Sequence, residues 1–291
     1  MDTSKLKEEL MQLHASTVSD NVKYLLEFEK KLSKDSNLNE AFSNYLTLSS
    51  KSFTEKWNAE KKHLRTKYAI QAIPDYPKNI TILSVSIDSI INALDDLLDE
   101  NLTKDEKALY IVEMIRVMSL KSLFNLSKDM AMAISNYFNK ILLVAISEAV
   151  YTQVFEDEKD IMERFNCGAL SYKSRSVDVD IFFDIPLIEL GYSKKDIDTI
   201  MKAARSFRMV NLARKDLLDF EHDKENQNFN LLIMLYNDGV RIQNFIDHIY
   251  KTAKEDLPKS KDKKVAAILT NLESMLELEK KKFDEALLKR I

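Results

Sequence analysis

Apolar positions recur at three- and four-residue spacing along almost the whole chain, a period that predicts helices and little else. Leu6, Leu10, Leu13, Val18, Val22, Leu25, Leu26, Phe28 and Leu32 predict one or two amphipathic helices over 4–34. Phe42, Tyr45, Leu46, Phe53 and Trp57 continue the pattern over 38–71, which ends in a basic stretch from Lys61 to Lys67 that reads first as a solvated face. The segment Ile73-Pro74-Asp75-Tyr76-Pro77 breaks the helix, because proline lacks an amide donor and disfavours helix in the residue before it. A largely apolar helix then runs from Ile80 to Leu98.

Thr103, with Glu106 three residues on, has the pattern of a capping box ahead of an apolar face from Leu109 to Met118. Ser127 to Phe155 is the longest and most apolar stretch and is expected to be a central core helix. Beyond Glu156-Asp157-Glu158, a helix through Met162, Phe165 and Leu170 reaches Tyr172-Lys173-Ser174-Arg175-Ser176, with a kink or short break expected before Phe182-Phe183-Asp184-Ile185-Pro186. Gly191 is placed to end a short helix, and Ser193 to cap the next with Asp196 in its first turn. Closing helices are expected over 230–237, 240–253 and 261–291.

Three Gly and four Pro in 291 residues leave little for tight turns, so the periodicity is read as an all-α fold, one domain over 1–291. The chain is 45% hydrophobic and 31% charged, which suits a soluble fold with a large core. The most apolar run, Ile141 to Tyr151, is interrupted by Ser147 and Glu148 and is too short for a membrane span. Met1-Asp2-Thr3-Ser4-Lys5 has no signal-peptide pattern, and the single Cys167 fits a reducing compartment, so a cytoplasmic protein is expected. A net charge of −4 gives no basic footprint for nucleic acid, and no Cys/His cluster has the spacing of a zinc site.

Two acidic clusters carry the candidate chemistry. Asp95, Asp96 and Asp99 crowd the C-terminal end of the 80–98 helix, with Asp95 and Asp99 four apart on one face. Helix ends of that polarity disfavour acids, so a cationic partner is expected, and carboxylates at this spacing suit Mg²⁺ shared with a phosphate. Farther on, Asp216, Asp219 and Asp223 fall at i, i+3 and i+7, again one face of a helix, with His222 beside them as a surface residue.

Asp95-Asp96-Leu97-Leu98-Asp99 resembles the first aspartate-rich motif of trans-prenyl diphosphate synthases, and Lys215-Asp216-Leu217-Leu218-Asp219-Phe220 with Asp223 resembles their second. Tyr172-Lys173-Ser174-Arg175 is similar to the family's KT segment, and the resemblance spans roughly 82–236. It departs at three places. Lys215 stands at the first aspartate of the second motif, no arginine pair follows Asp99, and Lys62-His63-Leu64-Arg65 is only a loose echo of the upstream basic motif.

The resemblance implies an isoprenoid-synthase-type helical bundle around a central apolar cavity, and a Mg²⁺-dependent prenyltransferase that ionises an allylic prenyl diphosphate and elongates it with isopentenyl diphosphate. It gives Asp95, Asp96, Asp99, Asp216, Asp219 and Asp223 to the metal, and Lys173, Arg175, Arg214 and Lys215 to diphosphate. Asp95, Asp99, Lys173 and Asp219 carry the catalysis in this reading, Ile90 and Ile91 line a chain-length pocket, and a homodimer is the family's usual state. Two alternatives stand beside it. One is a class I terpene cyclase, for which Asn211, Lys215 and Asp219 loosely resemble the second metal motif; the other is a non-catalytic helical binding protein or regulatory synthase subunit, which Lys215 favours.

Overall fold

The structure, a computed structural model, describes residues 64–99, 127–226 and 228–289. The helices expected over 4–34 and behind Thr103 lie outside them, as do residues 38–63 of the pattern expected over 38–71. Every described element is helical and no strand occurs among the described residues: α1 Leu64–Ala72, α2 Lys78–Asp99, α3 Lys128–Asp157, α4 Ile161–Arg175, a 3₁₀ turn Ser176–Val179, α5 Asp180–Glu189, α6 Lys194–Leu218, α7 Phe220–Asn226, α8 Leu231–Asn237, α9 Ile242–Glu255 and α10 Lys263–Leu288. The protein is therefore all-α over this region. None of these helices is long and apolar enough to cross a membrane.

The boundaries follow local chemistry. Ser127 Oγ accepts from the Met130 amide at 3.2 Å and Ser193 Oγ from the Asp196 amide at 3.2 Å, each supplying an acceptor that a helix start lacks. Asp160 and Asp262 do the same for α4 and α10, and Asn230 for α8. Gly191 turns the chain out of α5 with φ +73°, a conformation that costs any residue with a Cβ. The break expected before Phe182 is the 3₁₀ turn at Ser176–Val179, and the Ile73–Pro77 break separates α1 from α2.

α6 is buried along nearly its whole length, from Ile200 to Leu217. Of α3, the expected central helix, Met130 and Tyr137 are buried in the core and Met132, Val150 and Val154 are exposed, while the side chains of Leu142, Leu143 and Ile146 lie outside the described residues. α6 reaches the centre with small residues, Ala203, Ala204, Ser206 and Ala213, and with polar ones that find partners inside. Around it Tyr172, Phe182, Phe183, Phe245 and Phe283 are fully buried, as is its own Phe207.

Two antiparallel helix pairs fix the directions that matter. α5 and α6 are antiparallel across Gly191, with Asp180 against Arg205 at 2.8 and 2.5 Å and Asp178 against Arg208 at 2.9 and 2.5 Å. α5 also runs against α2: Arg65 ties Asp178 to Asp88 and Asn92, while Glu189 at the far end of α5 accepts from Asn79 at 2.8 Å. Being antiparallel to the same helix, α2 and α6 are parallel to each other. Contacts divide the chain into two compact units, and all described residues lie in the larger, Lys62–Glu100 with Val117–Ile291; one domain over 1–291 reaches beyond them.

Candidate functional site

A buried ionic network levels the parallel helices. Arg65 donates from Nε to Asp178 at 2.9 Å and from Nη1 to Asp88 at 3.0 Å and Asn92 at 2.8 Å, while the backbone amide and hydroxyl of Thr66 hold the other oxygen of Asp88. On α6, Arg208 grips Asp178 with two nitrogens and also donates to Asn211, whose amide reaches Tyr68 at 3.0 Å and Glu279 at 2.9 Å. Burial alone raises the Asp178 pKa, but Arg208 and Arg65 outweigh it and hold the carboxyl well below the usual range. The loose echo of a basic motif thus contains Arg65, an internal tie rather than a free cation.

Seven residues beyond Asp88 and Asn92 stand Asp95 and Asp99, and seven beyond Arg208 stands Lys215, with Asp219 one turn later. At 1.5 Å per residue these lie about 10 Å farther along helices that run the same way. The two acidic segments therefore finish at the same end of the bundle. The side chains of Asp95, Asp96, Asp99 and Ile90 lie outside the described residues; Ile91 is buried in the core.

The second segment is built differently from a straight acidic face. α6 stops at Leu218, Asp219 caps it, and Asp223 belongs to α7, so the single-helix register i, i+3, i+7 does not carry through. Asp216 is buried and held: the Tyr172 hydroxyl donates to it at 2.7 Å and Arg175 at 2.9 and 3.3 Å, with the guanidinium also 5.3 Å from the Tyr172 ring centroid. Asp223 accepts from Asn230 at 2.8 Å, and the same amide reaches the Asp216 carbonyl at 2.7 Å, so Asn230 pins α7 back against α6. Asp219 is half-buried and has no side-chain hydrogen bond among the described residues. Burial pushes its carboxyl up; Lys215 opposes this, and Asp223 and Asp216 reinforce it.

The cations given to diphosphate fare unequally. Lys173 is paired with Asp256, which also draws Lys202 to 3.8 Å, Arg175 is committed to Asp216, and Arg214 donates to Glu279 at 2.6 Å. Lys215 stands exposed in the last turn of α6, with no ion pair among the described residues. His222 is a surface residue, as expected, 3.6 Å from Asp223.

The Mg²⁺ that the resemblance implies finds no ready ligand set in this segment. Both Asp216 oxygens and one of Asp223 are already engaged, leaving Asp219 as the one uncommitted carboxylate of the three. No group of three His, Cys, Asp or Glu residues is arranged for a metal among the described residues.

No family model matches the chain, and no curated protein and no solved structure matches it either.

Sequence reasoning missed Asp178, Asp180, Arg205 and Arg208. Their signal was charge inside apolar runs: Asp178 and Asp180 flank Val179 ahead of Ile181-Phe182-Phe183, and Arg208 sits among Phe207, Met209 and Val210. Charges in such settings are paired when buried.

Proposed function

We propose that the acidic end of this bundle binds an allylic prenyl diphosphate, and that the protein is a prenyltransferase of isoprenoid-synthase type which elongates that substrate with isopentenyl diphosphate. One observation supports the reading above the rest: α2 and α6 run parallel and level, so the two aspartate-rich segments end together, as one diphosphate site between them requires. The KT-like segment comes to the same end, since Arg175 touches Asp216. In this reading Lys215 adds a positive charge toward phosphate oxygens, and the apolar interior shields a carbocation from water. A cytoplasmic homodimer around a central cavity, with Mg²⁺ required for turnover, belongs to the same proposal.

A second reading, a non-catalytic binding protein or regulatory synthase subunit, has an observation of its own. The Arg175–Asp216 pair closes the second segment, and Lys215 stands where the resembled motif has an acid. The cyclase reading loses its particular support, because Asn211 is spent on Tyr68 and Glu279 inside the core.

Diphosphate release from allylic diphosphates of increasing length, with and without isopentenyl diphosphate and Mg²⁺, separates these readings. Release that needs isopentenyl diphosphate and Mg²⁺ and disappears in Asp95→Ala is the expected result. Absence of release in every arm would sink the prenyltransferase for the isolated chain. Lys215→Asp sharpens the choice: a fall in turnover is expected if the lysine serves the present site, and a gain would mark a decayed enzyme.

A further inference from the structure

A cavity of about 620 Å³ opens where α6 gives way to α7 and is bounded by the α8–α9 turn and the end of α10. Leu217, Phe220, Tyr236, Ile242 and Leu287 give it apolar walls. Phe220 and Tyr236 meet edge to face with centroids 5.6 Å apart, yet 58% of Tyr236 remains exposed. Gly239 makes the turn with φ +72°, a conformation that suits glycine, and beyond its chain neighbours no described heavy atom lies within 4 Å of the place a Cβ would take.

The rim carries two cations of a different kind from those in the bundle. Lys224 stands 5.7 Å over the Tyr236 ring, and Arg241 is exposed at the start of α9; neither has an ion pair among the described residues. Arg164, Arg175, Arg205, Arg208 and Arg214 all have one. Glu221 is the single acid among the described lining residues, against Lys224 and Arg241, so these residues give the mouth a net positive charge.

We propose that this cavity binds a single-chain amphiphile with a phosphate or carboxylate head. The hydrocarbon lies along the apolar walls and the head sits between Lys224 and Arg241. The volume is that of an ordinary small-molecule site, and a mostly apolar pocket with a few polar groups at its mouth orients such a ligand. Charge complementarity selects the anion, and the Tyr236 face offers a flat apolar surface beside a cation. None of these residues is among those given to diphosphate or metal at the acidic end, so the proposal stands apart from the prenyl-transfer reading.

Calorimetric titration of the full chain with dodecyl phosphate, kept below its aggregation concentration, tests it, with dodecanol, inorganic phosphate and phosphatidic acid vesicles as separate probes. Saturable one-to-one binding of dodecyl phosphate is expected, at least ~10-fold weaker in K224Q/R241Q, with inorganic phosphate alone not retained. Tyr236→Ala, a change at a ring that is 58% exposed, is expected to weaken dodecyl phosphate and dodecanol alike. Equal binding by wild type and K224Q/R241Q, dodecanol binding as tightly as dodecyl phosphate, or association with the vesicles alone would overturn the proposal.

Discussion

Through Arg65 and Asp178 the helices α1, α2 and α6 and the 3₁₀ turn are tied together, and the chemistry of burial makes those contacts expensive to break. Arg65→Met leaves Asp88 and Asp178 facing a low-dielectric interior with fewer partners, and a loss of ~3–5 kcal/mol is expected in urea unfolding. Asp178 adds a pH signature of its own. Its pKa is depressed in the fold, so its stabilisation is present above the ordinary carboxylate range and drains away as pH falls below it. Asp184 has the opposite sign. Burial, then the neighbouring Asp180, push its pKa up to about 6, so the native state favours the protonated form. The stability this gives is complete below about pH 4 and is lost as pH rises through 6. Asp184→Asn, which mimics the protonated acid, is expected to raise the urea midpoint at pH 7.5 and to leave it nearly unchanged at pH 4; equal effects at both pH values would show that the carboxyl does not titrate in this way.

At the scale of elements, α6 organises the rest, and its start depends on a single hydroxyl. Ser193→Ala is expected to cost ~1 kcal/mol in chemical denaturation, the ordinary worth of an N-cap. That cap, Gly191 and the break at Ile73–Pro77 were legible in the sequence because each is a local device of one or two residues. The centrality of α6 was not legible, since hydropathy ranks the apolar α3 above a helix whose interior holds Arg208, Asn211 and Asp216. Only the tertiary partners of those residues make their burial tolerable, and partners from 30 to 143 residues away leave no local trace. The same holds for the second acidic segment. The spacing of Asp216, Asp219 and Asp223 predicted one continuous face, but Asn230 folds α7 back, and Tyr172 with Arg175 claims Asp216.

At the scale of the molecule, two parallel helices end in carboxylates at the same end of the bundle, and the resemblance gains its physical content there. The sequence supplied both acidic segments but not their common level, which comes from Arg65 and Asp178 linking α2 to α6. The proposed function requires that one ligand engage both segments. A double-mutant cycle measures this directly: the affinity for a non-hydrolysable thio-linked geranyl diphosphate, with Mg²⁺ present, in wild type, Asp95→Asn, Asp219→Asn and the double variant. Both single changes are expected to weaken binding, and the double to depart from their sum by at least ~0.5 kcal/mol. Affinity indifferent to either change, or losses that simply add, would contradict a shared diphosphate site.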